Sequence, residues 1–312
     1  MNQAGLPLQS LNEESLLIEE LGSGCIRCHK AFTQVQRWNK AKFCGEGCSN
    51  KHKEEQRKKK LGGQRIQVWA CGGGVQSTAI AALIALGKLP KPELSWIVDV
   101  GWEKTATWKY VDDVLIPELK KAGITLNVLK TTDYKGNDVV VDGHATIPAY
   151  RQNGHKIKFD TRCSNAWKRQ VAMKWLKENG VECCDTWLGI STDEIKRTRR
   201  STIWWNQNRY PLVELGFDRG KCQWIVGKIG WPTPPRTSCF FCPNQNDAGW
   251  MELRRNWPED FARACEIEGQ IQRVQPDVYL HEFCQPLDTI KFRNEDKVET
   301  ECFGSDRFCW SG

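Results

Sequence analysis

The chain reads as an α/β protein, a parallel sheet with helices on both faces, preceded by a small zinc-binding module. Three observations predict this. From Arg65 onward, short apolar runs alternate with helical stretches. A glycine-rich loop separates the first run from the first helix. Upstream, two cysteine pairs stand at metal-ligand spacing.

Residues 1–24 are expected as a helical lead-in. Ser10-x-x-Glu13 fits a capping box ahead of Leu16 and Leu17, and Gly22-Ser23-Gly24 ends it. Residues 25–52 form the zinc module: Cys25-Ile-Arg-Cys28, fifteen residues, then Cys44-Gly-Glu-Gly-Cys48. Gly45 and Gly47 let the second pair turn tightly around a tetrahedral Zn2+, and His52 is an alternative ligand. Structural zinc supplies on the order of 10 kcal/mol of folding energy, which so small a module needs. Lys30, Arg37, Lys40 and Lys42, interleaved with Phe32, Trp38 and Phe43, suit contact with DNA or RNA. A protein-docking or purely structural knob fits them equally. Residues 53–64 are read as a basic linker, since Lys51–Lys60 is KHKEEQRKKK and Gly62-Gly63 follows.

The α/β part, residues 65–235, opens with a strand at Ile66–Ala70, the loop Cys71–Gln76 and a helix at Ser77–Leu86. A second strand at Leu94–Val98, a helix at Thr105–Ala122 and a third strand at Ile124–Leu129 follow. Ligands of such sheets bind at the carboxyl ends of strands, where the loops after Ala70 and Val98 fall. Residues 142–160, with His144, His155 and Lys158, are expected as a loop over the site. Another strand at Thr186–Ile190 leads to Asp193 and Glu194. These carboxylates suit Mg2+ on a triphosphate or the cap of the next helix. Lys196–Arg200 reads KRTRR, and on a helix Arg197 and Arg200 share a face fit to clamp phosphates. Residues 236–312 are a cysteine-rich helical part completing the site. Its helices span Asn246–Asn256 and Pro258–Gln275, with Trp250 and Trp257 facing the core.

Bulk properties exclude some classes. The longest apolar stretch, Thr78–Leu86, is far short of the ~20 residues that span a bilayer, so no membrane association is expected. Met1–Glu20 lacks the basic start and apolar block of a secretory signal. With 15 cysteines and no export signal, metal binding explains the sulfur better than a disulfide framework, and a cytoplasmic location is expected. The formal charge is +7, concentrated in the two basic runs, which fit phosphate contact or plain solvated faces.

Gly72-Gly-Gly-Val-Gln-Ser77-Thr78 brings backbone amides and a helix N-terminus to bear on a phosphate, with two hydroxyls beside them. It lacks the Gly-Lys-Ser/Thr ending of a Walker loop. It resembles the Ser-Gly-Gly-x-Asp-Ser loop of the PP-loop (adenine nucleotide alpha hydrolase-like) superfamily. In particular it is similar to the GGGVQST variant of PAPS reductase-like proteins, many of them carried by phages. The match continues in order. Asp99-Val-Gly101-Trp-Glu103 resembles the segment after the second strand that contacts the nucleotide. Thr161-Arg162-Cys163-Ser164 with Lys168, Gly189-Ile-Ser-Thr-Asp193-Glu194-x-x-Arg197, Tyr210–Glu214 and Pro234–Pro243 complete it, over roughly residues 66–310. The resemblance implies a Rossmann-like fold and an adenine nucleotide, ATP or PAPS. Gly72, Gly73, Gly74, Gln76, Ser77, Thr78, Asp99, Gly101, Glu103, Arg162 and Lys168 would hold it, and Asp193, Glu194 and Arg197 would serve catalysis. Two departures matter: Gln76 stands where the family has Asp, and Gly72 replaces its first Ser.

Cys239-Phe-Phe-Cys242-Pro243 is a second ligand pair. Two of Cys163, Cys302 and Cys309 would complete a second centre, Zn2+ or [4Fe-4S]. Cys163 lies in a segment resembling the one where assimilatory APS reductases hold part of such a cluster. Cys183-Cys184 is read as buried core instead. Thr300-Glu301-Cys302 resembles the Glu-Cys-Gly-Leu-His tail of sulfonucleotide reductases, but Phe303-Gly304-Ser305 follows. Three functions are thereby expected in competition. The first is ATP-dependent adenylation, releasing pyrophosphate, of an acceptor the sequence does not identify, with nucleic acid as the candidate. The second is sulfonucleotide reduction through Cys302, and the third is nucleotide-dependent nucleic-acid binding without chemistry.

Overall fold

The computed structural model describes residues 25, 27–33, 41–60, 65–152, 156–159 and 163–293. The lead-in 1–24, Arg37, Trp38, Lys40, Gly62, Gly63, His155, Arg162, Cys302 and Cys309 lie outside them. Two compact units divide between Arg65 and Ile66.

In the first unit Cys25 and Cys28 sit on a tight turn: the Cys25 amide donates to the Lys30 carbonyl at 2.9 Å and the His29 amide to Cys25 at 2.8 Å. Helix α1 (Glu46–Lys60) begins inside the second cysteine pair. The run Lys51–Lys60, expected as a linker, is therefore helical. Lys, Glu, Gln and Arg are strong helix formers, and neither Gly nor Pro follows Gly47 in this span. Arg27 pairs with Glu55 of α1 at 2.8 Å.

The second unit holds a five-stranded sheet in the order β3-β2-β1-β8-β9. Its strands are β1 (Ile66–Cys71), β2 (Leu94–Asp99), β3 (Asn127–Lys130), β8 (Cys184–Leu188) and β9 (Asn206–Arg209). Every pairing in it is parallel. Both faces are covered, so the period of two sends apolar residues each way. Val68, Trp96 and Val98 enter one core; Trp69, Ile97 and Trp187 enter the other. On the second face lie α2 (Val75–Ala85), α3 (Thr105–Tyr110), which runs through a π turn (Val111–Leu115) into α4 (Ile116–Lys121), and α7 (Arg219–Lys228). Helix α2 is apolar nearly all round because it is packed between sheet and α7. On the first face lie α5 (Gln170–Glu178), α8 (Asp247–Asn256) and α9 (Pro258–Val274). Trp250 is fully buried and Trp257 packs partly buried on the same core. The short helix α6 (Pro211–Glu214) precedes α7. Cys183 and Cys184 are buried, as read from sequence.

The segment 142–160 is not a plain loop. It contributes β5 (His144–Ala145), paired with β4 (Val140–Val141), and the hairpin β6 (Ala149–Gln152) and β7 (Lys156–Phe159). β6 also pairs with β10 (Val278–Tyr279). His144 is exposed. Among the described residues no helix is long and apolar enough to cross a membrane.

Candidate functional site

In the sheet, β1 lies between β2 and β8, so successive crossovers diverge at its carboxyl end. The glycine loop follows there. The Gly72 amide donates to Ser77 Oγ at 2.9 Å and the Gly73 amide approaches Cys71 Sγ at 3.4 Å. Gly73 has φ 72°, the left-handed region that suits glycine. A Cβ there would meet the methyls of Thr107 and Thr237, each at 3.4 Å. Gly74 caps α2 without a side chain, and no acidic residue occupies the first turn. The amides of Val75, Gln76 and Ser77 thus have no intrahelical acceptor and form the positive end of the helix dipole. The Thr78 hydroxyl, expected beside the phosphate, instead donates to the Gly74 carbonyl at 3.1 Å. At the end of β8, Gly189 has no room for a side chain: a Cβ would lie 2.9 Å from Ser77 Oγ and 3.0 Å from the Ser77 nitrogen.

A cavity of about 460 Å3 opens over these strand ends. Of the residues expected to bind nucleotide or act on it, Gly72, Ser77, Glu103, Lys168 and Arg197 line it. Trp96, Ile97, Ala172 and Met173 give it an apolar wall, which suits a base, while the loop and Arg197 give a polar one. Thr107, Thr237, Asn206 and Asn208 also line it and were missed from sequence, since no spacing links them to the loop. Thr107 Oγ1 is buried without a hydrogen-bond partner, so a ligand oxygen there would satisfy it. Asp99 and Gly101 shape the turn after β2, the Gly101 amide donating to Asp99 Oδ1 at 2.7 Å; neither lines the cavity.

Lys168 Nζ donates to Glu103 Oε1 at 2.7 Å. Glu103 is buried and its second oxygen accepts the Val100 amide at 3.2 Å. Burial works against the Lys168 charge, but the Glu103 carboxylate outweighs it and raises the lysine pKa. Glu103 also forms an antiparallel bridge with Cys239, flanked by bonds from the Phe240 amide to Trp102 at 2.9 Å and the Lys104 amide to Ser238 at 3.2 Å. Buried Phe240 and Phe241, packed on Trp102, anchor the turn in which the Cys242 amide reaches the Cys239 carbonyl at 3.0 Å. Burial, then the Glu103 charge, pushes the Cys239 thiol far up; Cys242 and Cys163 add to it.

Among the described residues, Cys25, Cys28, Cys44 and Cys48 are the group of metal-binding atoms lying within 4.8 Å of one another. Cys28 and Cys44 sulfurs are 3.6 Å apart, Cys44 and Cys48 sulfurs 3.5 Å. Tetrahedral Zn–S bonds of ~2.3 Å place sulfurs ~3.8 Å apart, so the four cysteines fit one ion. Cys239 lies near Cys242 and Cys163, whose charges act on its thiol, while Cys302 and Cys309, the other candidates for a second centre, lie outside the described residues.

Asp193 and Glu194 stand on a 3-10 turn (Thr192–Arg197) outside the cavity lining. Asp193 Oδ1 accepts the Arg219 amide at 3.0 Å, the first amide of α7, whose N-cap is Asp218. The Ser191 hydroxyl beside it and Arg219 hold its carboxyl below the ordinary value. Glu194 Oε2 accepts Arg197 at 2.7 Å and Gln76 at 3.4 Å. Arg197 and Arg200 do not share a helical face, because Thr198 is extended and ends the turn.

No family model and no curated protein matches the chain. Among solved structures it is similar to a phosphoadenylyl-sulfate (PAPS) reductase from Candida auris in a phosphate complex. That likeness has 14% identity and a TM-score of 0.38, over 58% of this chain and 81% of the other. It is also similar to the U34-tRNA thiolase NcsA from Methanococcus maripaludis with its [4Fe-4S] cluster, at 16% identity and a TM-score of 0.38, over 88% and 91%. By its own strands and side chains the chain is an α/β protein with a parallel five-stranded sheet and an N-terminal four-cysteine group.

Proposed function

We propose that the chain is an adenine-nucleotide-dependent enzyme that binds ATP in the cavity over β1 and adenylates a nucleic-acid acceptor. The observation that carries this is the uncapped N-terminus of α2, with Ser77 beside it, at a cavity that also presents Lys168 and Arg197. The ordered resemblance to PP-loop enzymes supports it. In this reading the triphosphate rests on Gly72–Ser77 and the base lies against Trp96 and Met173. The acceptor attacks the α-phosphorus, the α–β bridge breaks, and pyrophosphate leaves with the charge that the helix end and cations stabilise. Asp193 takes the first amide of α7 and Glu194 holds Arg197 and Gln76, so this pair does not fit as a ready Mg2+ site. Mg2+ enters this reading only with the triphosphate.

The N-terminal cysteines would hold Zn2+ as a structural ion, and the basic residues of that unit suit DNA or RNA. Cys239 and Cys242, with two of Cys163, Cys302 and Cys309, would hold a second centre, Zn2+ or [4Fe-4S], since thiolates suit either.

Calorimetry of anaerobically purified protein with ATP, AMP, APS and PAPS, beside a Ser77→Ala variant, tests the reading. ATP binding lost in the variant, with AMP and pyrophosphate formed when nucleic acid is added, is the expected result. Preference for PAPS with sulfite release, or no binding at all, would overturn it.

A further inference from the structure

The Ile195–Ser201 segment has two sides. Arg197 and Ser201 line the nucleotide cavity. Ile195, Thr198, Arg199 and Arg200 instead line a second hollow of about 420 Å3. Asn208 lines both, so the two hollows meet at that side chain. The segment is fixed rather than draped: Tyr210 Oη accepts the Arg199 amide and donates to the Arg199 carbonyl, both at 2.8 Å. Asn208 Nδ2 donates to the same carbonyl at 2.8 Å.

The charge of this hollow is unbalanced. Arg209 is held by Glu214 at 2.9 Å, and Arg199 Nη1 donates to the carbonyls of Lys196 and Thr198, which carry no charge to balance it. Arg200 lines the hollow and Lys196 follows Ile195 of its lining in the chain; both are exposed, and among the described residues neither is paired with a carboxylate. Ile195 is 51% exposed and supplies an apolar patch, while Gln207 and Asn208 add amides. Cations next to an apolar patch and amide groups match an unpaired nucleotide, which offers a phosphate, a flat base and hydrogen-bonding edges at once. A volume in the ~300–1,000 Å3 range of ligand clefts admits a splayed nucleotide but no duplex.

We propose that this hollow seats a single-stranded phosphodiester chain, with Lys196 and Arg200 on its phosphates and Asn208 at the point where the strand turns toward the nucleotide cavity. The proposal deepens the adenylation reading and rests on it for the direction of the strand, but its binding test stands apart from that reading.

The test uses the full chain and labelled short single-stranded oligonucleotides, one RNA and one DNA, followed by anisotropy over a salt series. Lys196→Glu/Arg200→Glu is expected to lower affinity by ~tenfold or more, and to flatten the log–log salt slope by ~1.4, two phosphate contacts at ~0.7 each. The RNA and DNA arms tell which strand is the source. ATP binding by calorimetry is expected to be unchanged, which also shows the variant folded. Loss of oligonucleotide binding in the variant sustains the hollow even if the wild type never binds ATP; in that case only the adenylation reading fails. Unchanged affinity and slope, equally tight duplex binding, or displacement of the strand by polyglutamate as readily as by unlabelled strand would each overturn the proposal.

Discussion

Gly189→Ala is the sharpest single test of how the phosphate loop is held. The new Cβ would lie 2.9 Å from Ser77 Oγ, 3.0 Å from the Ser77 nitrogen and 3.3 Å from the Gln76 carbonyl carbon. Two of these are backbone atoms at the start of α2, so no rotamer change relieves the contact. Separating β8 from the loop is overpacking of the kind that costs ~1–3 kcal/mol. Moving Ser77 also strains the 2.9 Å bond from the Gly72 amide, adding ~1 kcal/mol. Together these give ~2–4 kcal/mol, and at ~2–4 °C per kcal/mol for a unit this size the midpoint should fall by ~4–16 °C. Thermal melts by circular dichroism measure it, with Gly269→Ala as control. That helical site has nothing within 4 Å of a new Cβ, so alanine there should hold or raise the midpoint. ATP affinity should fall with the loop's displacement. A Gly189→Ala protein that melts and binds ATP like the wild type would refute the idea that β8 braces the phosphate loop.

Other outcomes follow from the same geometry. Lys168→Met leaves the buried Glu103 carboxylate without its cation at 2.7 Å; because Lys168 is half-exposed, a loss of ~1–3 kcal/mol is expected, under the ~3–5 of a fully buried pair. Urea unfolding should show Glu103→Gln to be the milder change, since the freed lysine head reaches water. His281 is buried, and that burial lowers its pKa against the pull of Asp247 at 3.2 Å. The unfolded chain then binds more protons, so stability should fall as pH drops below ~6.5, and His281→Gln should flatten that part of the profile. Cys44→Ser should remove one equivalent of metal by elemental analysis while leaving the unfolding of the sheet unchanged; a full metal complement in that variant would exclude the four-cysteine site.

Much of the sheet was legible because β1 and β2 are mostly apolar runs, interrupted by Gln67 and Ser95 and followed by glycine turns, close to the pattern of strands buried on both faces. The loop was legible from its glycines, the residue that most readily takes the φ of 72° found at residue 73. The rest of the cavity was not. Thr107, Thr237 and Asn208 come from different parts of the chain, and only the parallel topology brings them to one rim. Where the reading failed, local physics had two outcomes. Lys51–Lys60 could solvate as linker or as helix, and its helix-forming residues decided it. Strands of two and four residues between 140 and 159 were too short to show a period. Arg200 was placed on a helix that Thr198 ends, with φ −64° and ψ 135°.

Gln76 is the departure from the PP-loop pattern that bears most on chemistry, and its surroundings give it a physical reason. Its amide reaches Glu194 Oε2 at 3.4 Å, the same oxygen that takes Arg197 at 2.7 Å. An aspartate at 76 would set a second carboxylate toward that of Glu194, with Arg197 as the cation already there, and the like charges would push one carboxyl up in pKa. With glutamine there is no second charge: Arg197 neutralises Glu194, and the amide dipole adds a weak donor. Arg197 also lines the cavity, so the charge that balances Glu194 is the one nearest an incoming phosphate. A triphosphate would compete with Glu194 for that guanidinium, and the Gln76 amide would keep the displaced carboxylate partnered. In the proposed reading, glutamine at 76 leaves Arg197 free to pass from Glu194 to a nucleotide phosphate without stranding a second carboxylate.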